Sequence, residues 1–486
     1  MKIDNSRGYR REVITRIARL FFENKIEDIY KIPFEMKPKD IDPAKILRCC
    51  IHKERAILRA RIIASLGFKL EDDNEIDLLP SFARRAMARE KPIDDTILTV
   101  LDIACHGCVK SRYVVTELCQ GCLARPCVNN CPFHAATIIN GKSYIDPDKC
   151  KSCGKCMAAC PYHAIVYQPV PCEASCPVGA IHKNDKNGRA YIDKEKCIRC
   201  GNCERACPFA AVMEISQVID VLKAVRDENK KVVAMVAPAI LGQFNAPIAK
   251  VYGAIKKLGF DDVVEVASGA DETTEKEAAE FVERMQNGEK VMTTSCCSAY
   301  YQIVEKHLPE LKPFVSSTRT PMHYTAKAIK ENDAKTVTVF IGPCIAKRYE
   351  AFHDEYTDLV ITFEELDAMF AAKDLDLNSA DDFAVAKQSS AQGRNFAVAG
   401  GVAAAVEHLT QGKIPYKPVC ITGVTSKDLR VLKDIAKGRC DGNMVEVMIC
   451  QGGCCNGASV CADERICAKE VKNYAAEGFN LKDKKS

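Results

Sequence analysis

At 486 residues, 47% hydrophobic and 28% charged, the chain has the make-up of a globular protein of two to four domains. A net charge of +4 argues against both the basic footprint of a nucleic-acid binder and an acidic tail. No apolar run approaches the roughly 18 residues of a membrane-spanning helix, and the segment from Met1 to Arg11 lacks the apolar centre of a secretion signal, so a cytoplasmic protein with no membrane or nucleic-acid partner is expected.

The first hundred residues read as helices. Val13, Ile14, Ile17, Leu20 and Phe21 recur at helical spacing within residues 9–30. Residues 43–66 repeat the pattern with Ile46, Leu47, Ile51, Ile57, Leu58, Ile62 and Ile63. Pro80 and Pro92 punctuate the stretch beyond residue 66. A small helical domain over residues 1–95 is the expectation, and its role is open between covering its neighbour and docking a partner. Cys49 and Cys50 are adjacent and have no spaced partners nearby, so they read as small buried hydrophobes rather than ligands. Arg55, Arg59 and Arg61 read as a solvated helix face rather than a docking patch.

The chain holds 28 cysteines, far more than packing requires. A disulfide scaffold would be shorter and secreted. From residue 127 to 213 the sequence repeats itself. Pro126-Cys127-Val128-Asn129-Asn130-Cys131-Pro132 returns as Pro171-Cys172-Glu173-Ala174-Ser175-Cys176-Pro177, and Tyr144-Ile145-Asp146 returns as Tyr191-Ile192-Asp193. Cys150, Cys153, Cys156 and Cys160-Pro161 return as Cys197, Cys200, Cys203 and Cys207-Pro208. This Cys-x-x-Cys-x-x-Cys-x-x-x-Cys-Pro spacing points to [4Fe-4S] clusters in a reducing, anaerobic setting. Each copy resembles a bacterial two-cluster ferredoxin module, in which the fourth cysteine of a run ligates the other cluster. That rule places Cys150, Cys153 and Cys156 with Cys131, and Cys119, Cys122 and Cys127 with Cys160. It also places Cys197, Cys200 and Cys203 with Cys176. Cys172 and Cys207 then lack a pair, because Ala164 and Tyr167 stand where the first copy has Cys119 and Cys122. Cys105 and Cys108 are the unused close pair, and they complete a fourth set; a zinc half-site or a free pair is the alternative. His106 reads as a hydrogen-bonding neighbour. The expectation is an α+β ferredoxin-like domain over residues 96–215 with four accessory clusters acting as an electron wire.

Beyond Ala211 strands and helices alternate, as in an α/β domain. The run 231–237 reads as a buried strand ending at Pro238, and 396–401 as a strand running into a helix. Three further apolar runs end in cysteines: Val291-Met292-Thr293-Thr294-Ser295-Cys296-Cys297, Thr336 to Cys344, and Met444 to Cys454. The last pair is set among glycines, which permit close backbone approach to a bulky inorganic group. Together these strand ends supply four thiolates, enough for one cubane.

These three segments resemble the signature loops of the iron-only ([FeFe]) hydrogenases: Thr-Ser-Cys-Cys, Pro-Cys-x-x-Lys-x-x-Glu over residues 343–350, and Glu-x-Met-x-Cys-x-Gly-Gly-Cys over residues 446–454. The resemblance covers about residues 100–460. It implies a catalytic domain of two lobes over residues 216–470, followed by a tail over residues 471–486. It implies that Cys297, Cys344, Cys450 and Cys454 hold the cubane of an H-cluster, with Cys454 bridging to a two-iron unit carrying carbon monoxide, cyanide and a dithiolate. Lys347 would hydrogen-bond a cyanide, and Met448, Pro238, Ala237 and Ala239 would line the cavity. Cys296 matches the family's proton-transfer cysteine. Glu277, Glu280 and Arg284 share one helix face; alone they read as a solvated ion-pair face. With Ser316, the resemblance makes them a relay from Arg284 through Glu280, Ser316 and Glu277 to Cys296. The implied activity is ferredoxin hydrogenase: reversible reduction of protons to dihydrogen, with a ferredoxin-like carrier and hydrogenase maturases as partners. A hydrogen sensor and a non-catalytic iron–sulfur assembly-type protein are the alternatives. Ser298, Gly342, Met322, Ala458 and Ser459 depart from the family's usual residues and point to a divergent branch with an altered surround to the site. Cys420, Cys440, Cys455, Cys461 and Cys467 read as ordinary thiols.

Overall fold

The computed structural model describes residues 5–42, 46–92, 96–184 and 186–483. Two parallel sheets form the C-terminal half. One orders its strands Asp262–Glu265, Val232–Val236, Val337–Gly342 and Leu359–Thr362. The other orders Met292–Thr293, Met444–Met448 and Pro418–Thr422. Val232–Val236, Leu359–Thr362 and Met444–Met448 are buried along their whole length. That burial explains their unbroken apolar runs, since helices cover both faces of a parallel sheet. Parallel strands all end on the same side, so in each sheet the loops after the strands collect at one edge.

The stretch 396–401 is not a strand. A 3-10 turn spans Asn395–Ala397, Val398 makes a single bridge to Gly453, and Gly400 at φ +84° turns the chain into the helix Gly401–Thr410. Alternation of apolar and small residues there reflects close packing against Gly453 rather than sheet pairing. The expected C-terminal tail is also structured through residue 483: the helix Glu464–Ala475 buries Cys467 and Val471, and Leu481 is buried. Residues 484–486 lie outside the described residues.

The cysteine-rich region is built as a nested repeat. Each copy has a short helix, an antiparallel hairpin and a second short helix: Pro126–Asn129, Ala136–Ile139 with Lys142–Ile145, and Lys155–Ala159; then Pro171–Ala174, Ile181–Lys183 with Ala190–Ile192, and Asn202–Ala206. The first copy is closed by Arg112–Val115 pairing with Ile165–Gln168, the second by Leu98–Val100 pairing with Val212–Glu214. The chain therefore starts the second copy, inserts the whole first copy, and returns. Cys105 and Cys108 follow the strand Leu98–Val100 and so belong to the second copy.

The N-terminal helices Asn5–Phe22, Ile51–Ser65 and Leu79–Ala88 form, but they do not make a core of their own. Val13, Ile17, Phe21 and Phe82 share one continuous cluster with Leu222, Leu366 and Phe370 of the sheet-containing half. The second helix begins at Ile51, later than the apolar pattern implies; residues 43–45 lie outside the described residues. Its basic residues are not a solvated face. Arg61 is buried and donates to the Ala210 carbonyl at 2.8 Å, Arg55 donates to the Lys37 carbonyl at 2.8 Å, and Arg59 pairs with Asp73 at 2.6 Å. Cys49 is exposed and Cys50 half-buried, contrary to the expectation of buried thiols.

A buried ionic network joins the three parts. Arg348, fully buried, pairs with Glu214 at 2.9 Å and with Glu365. Arg10 of the first helix pairs with Glu204 and, at 3.1 Å, with Glu364. Burial pushes the Glu214 carboxyl well above its ordinary range, against the pull of Arg348. Removing one partner of such a network leaves an uncompensated charge and costs about 3–5 kcal/mol. Arg348→Met is expected to lower the apparent midpoint of denaturant-induced unfolding strongly. Arg439→Met, which breaks an exposed 3.9 Å pair with Asp434, should change the unfolding free energy by less than about 1 kcal/mol.

Candidate functional site

A cavity lies between the two sheets, at the ends of their strands. Its wall includes Cys297, Cys344, Cys450 and Cys454. Cys344 follows Val337–Gly342 of one sheet, Cys297 follows Met292–Thr293 of the other, and Cys450 and Cys454 follow Met444–Met448. The four thiols sense one another. Burial raises Cys344 to about 11, with the Cys297 thiol adding to it, and raises Cys450 well above the ordinary thiol range, with Cys344, Cys297 and Cys454 adding. Cys454 presents its surface to this cavity and is likewise raised by burial. Ala237, Pro238, Ala239 and Met448 line the same space. All eight residues expected at the cofactor are brought together.

The glycines of the third loop serve the protein as much as any ligand. Gly453 sits at φ +93°, and a Cβ there would come within 2.7 Å of the Ala397 carbonyl and the Ala399 amide. Only glycine lets that backbone pass so close. Gly342 has a different cause: a Cβ would lie 2.4 Å from the Phe340 ring, which lines the cavity. A larger side chain at this departure from the family pattern would have to displace that ring.

Lys347 is buried at the cavity wall and pairs with Glu350 at 2.7 Å. Burial works to lower its pKa, but Glu350 wins and holds the ammonium above its usual value. Glu350 is held in turn by the hydroxyls of Ser298 and Thr320. The motif draws attention to Lys347 and Glu350 only. Ser298 stands out in the sequence only as a departure from the family's residue, and Thr320 carries no sequence signal. A hydroxyl 30 residues from a motif glutamate becomes its partner only after folding.

The helix Ala267–Gln286 carries Glu277, Glu280 and Arg284. Arg284 pairs with Glu280 at 2.7 Å, and the Ser316 hydroxyl donates to Glu280 at 2.7 Å. Burial works to raise Glu280, but the Ser317 amide, the Ser316 hydroxyl and Arg284 hold it below the ordinary carboxylate range. Glu277 is fully buried and is pushed up to about 8, chiefly by burial, with the charge of Glu280 adding. One of its oxygens accepts from the Ser295 amide at 3.3 Å; the other, also buried, has no partner within hydrogen-bond distance among the described residues, with the Ser316 hydroxyl close by. Cys296, on the cavity wall, is raised well above the ordinary thiol range by burial and then by the nearby Glu277 and Glu446. The solvated-face alternative fails at Glu277. Near neutral pH one carboxyl holds a proton and its neighbour does not, with a hydroxyl beside both.

Three accessory thiol sets also converge. Cys131, Cys150, Cys153 and Cys156 surround one small cavity, and Cys176, Cys197, Cys200 and Cys203 surround another. Cys172 is raised to about 11 by burial and then by Cys207 and Cys108, while Cys108 is raised by burial and then by Cys105, so this fourth grouping is present as well. In the remaining set, Ser143 links Cys119 and Cys127: its amide donates to Cys119 at 3.5 Å and Cys127 reaches its hydroxyl at 3.4 Å. Among the described residues no three histidine, cysteine or carboxylate side chains close on a single metal-ion point, so these thiols surround spaces rather than a point. Spaces lined by four thiols at the Cys131 and Cys176 sets suit a cubane. Cys200 lines both its own cavity and the large one, and burial raises it to about 12. His106 stacks on Phe209 with ring centroids 4.5 Å apart. Of the leftover thiols, Cys455 and Cys467 are buried in contact with each other, Cys440 and Cys461 are half-buried, and Cys420 is exposed.

The fold and its thiol sets define an iron–sulfur protein with a mixed α/β half and a ferredoxin-like half. A family profile described as iron only hydrogenase large subunit, C-terminal domain, matches residues 230–458, and profiles for 4Fe-4S dicluster domains match residues 118–165 and 142–208. The chain is 30% identical over 305 residues to the periplasmic [Fe] hydrogenase large subunit of Nitratidesulfovibrio vulgaris, covering 50% of this chain and 72% of that one. It is 30% identical over 376 residues to iron hydrogenase 1 of Clostridium pasteurianum, covering 64% of each. It is also 24% identical to the cytosolic Fe-S cluster assembly factor narfl of Xenopus tropicalis, over 52% of this chain and 67% of that one. An apo [FeFe]-hydrogenase structure from Chlamydomonas reinhardtii aligns at 19% identity and a TM-score of 0.43, over 56% of this chain and 90% of that chain. The chain belongs to the iron-only hydrogenase family. Among the described residues no helix is long and apolar enough to cross a membrane.

The Glu277 carboxyl yields a pH prediction. Its folded pKa of about 8 lies above the ordinary value of 4.5, so its contribution to stability is full below about pH 4.5 and is lost as pH rises through 8. The loss amounts to at most roughly 5 kcal/mol. Glu277→Gln should flatten this decline, and the unsubstituted protein should lose more thermal stability between pH 6 and 9 than the variant.

Proposed function

We propose that the chain is an iron-only hydrogenase that interconverts protons, electrons and dihydrogen at an H-cluster. The single observation that carries this is the gathering of Cys297, Cys344, Cys450 and Cys454 on one cavity that also holds Lys347 and Cys296. The H-cluster would supply an iron with an open position, at which dihydrogen is formed or split. Cys297, Cys344, Cys450 and Cys454 would hold its cubane, and Cys454 would also bridge to the two-iron unit. Lys347, kept charged by Glu350, would hydrogen-bond an anionic ligand of that unit. The apolar wall formed by Pro238, Ala239 and Met448 would exclude bulk water.

Protons would move along this chain's own groups. Glu280, ionised and near the surface, accepts a proton from solvent. The Ser316 hydroxyl passes it on by donating to one carboxylate while accepting from the other. Glu277, with Ser316 on one side and Cys296 nearby, carries it inward. Arg284 is a counter-charge that holds Glu280 ionised; a guanidinium does not release protons at working pH. Electrons would pass through four accessory [4Fe-4S] clusters to a ferredoxin-like carrier, with the Cys200 set nearest the cavity. Dedicated maturases would insert the two-iron unit.

Infrared spectroscopy on matured protein, with a hydrogen assay, tests the reading. Carbon monoxide and cyanide bands with turnover support it. Bands with very slow turnover would favour a hydrogen sensor, and no bands a non-catalytic assembly-type protein. Glu280→Gln and Cys296→Ala should keep the bands and lose turnover by about 10²-fold or more. The double variant Cys105→Ala/Cys108→Ala should lose about four irons per chain. Ser298→Ala, which removes a hydroxyl from Glu350, should keep full iron content while shifting the cyanide bands.

A further inference from the structure

The Cys49–Cys50 pair belongs to none of the thiol sets above and is open to solvent at Cys49. Cys49 is exposed and Cys50 half-buried, and their sulfurs lie 3.7 Å apart, in contact. Cys50 stands just before the helix Ile51–Ser65 in an extended conformation at φ −166°. The amide of Lys53, then the Cys49 thiol and the amide of His52, favour its thiolate, so its pKa is lowered. The preceding residue ties this site to the second ferredoxin copy. Arg48 donates to the Phe209 carbonyl at 3.2 Å and lies over the Phe209 ring, which stacks on His106. Phe209 lies two residues after Cys207, and His106 lies between Cys105 and Cys108.

We propose that Cys49 and Cys50 form a reactive dithiol site that takes small-molecule disulfides and closes to a vicinal disulfide. Cys50, as the thiolate, attacks one sulfur of the incoming disulfide; a mixed disulfide forms and one thiolate leaves. Cys49 then loses its proton to solvent and attacks the Cys50 sulfur. The Cys49–Cys50 bond forms and the second thiolate leaves. The pair gives up two electrons, and the incoming disulfide is reduced to two thiols. The nucleophile is Cys50 because the thiolate, not the thiol, attacks. Closure is local because the two sulfurs already touch. The new ring would strain the backbone beside Arg48, and the Arg48–Phe209–His106 contacts would carry that strain to the surroundings of Cys105, Cys108 and Cys207.

The test uses the full chain with its clusters, without oxygen, and dithiobis(nitrobenzoate) as the disulfide. The fast phase should release about two equivalents of thionitrobenzoate per chain from this site. Peptide mapping should then find the segment with Cys49 and Cys50 short of two hydrogens and free of adduct. Cys49→Ser should stop after about one equivalent, with the adduct held on Cys50. Cys50→Ser should slow the first release several-fold. A lasting adduct on either cysteine of the unsubstituted protein would overturn the proposal. So would a reduced Cys49–Cys50 segment at the time exposed Cys420 has reacted.

Discussion

Arg348 sets the distance between the ferredoxin-like half and the cavity. It is one residue past Lys347 and four past Cys344, and its guanidinium is clamped between Glu214 and Glu365. Glu214 ends the strand that closes the second ferredoxin copy. Glu365 forms the capping box at the start of the helix Phe363–Ala372. One buried cation therefore welds the ferredoxin-like half to the loop that carries a cavity cysteine. A buried guanidinium with two carboxylates tolerates little movement, because any shift leaves a charge without its partner. That rigidity keeps the Cys200 set against the large cavity.

The first helix extends the same logic. Arg10 reaches Glu204 of the ferredoxin-like half and Glu364 beside the Glu365 cap. Its apolar face completes the core under the four-stranded sheet. The N-terminal helices thus act as a strap across the junction. Their shared core explains why, among the described residues, no separate hydrophobic cluster belongs to them alone.

Burial also divides labour among the acids. Glu277 and Glu280 lie one helical turn apart, yet one is held neutral by desolvation and the other ionised by an arginine and an amide. Lys347 keeps its charge although buried, because Glu350 lies beside it. The same residue type takes opposite states because the solvent, not the side chain, differs. Such paired environments are what proton transfer needs.

The amino-acid sequence by itself determined which cysteines could act together within a run, the repeat, the strand ends that carry thiols, and the helix face of Glu277, Glu280 and Arg284. Those features are local: they follow from spacing, from the two-residue and 3.6-residue periods, and from apolar runs. Tertiary structure alone decided what is near what across the chain. It nested one ferredoxin copy inside the other and so brought Cys105 and Cys108 toward Cys172 and Cys207. It turned residues 396–401 into a turn packed on Gly453, merged the N-terminal helices into the main core, buried Arg61 and exposed Cys49. It gave Ser298 and Thr320 a common acceptor in Glu350. These outcomes depend on which surfaces exclude water together, and no window of sequence contains both sides of such a contact.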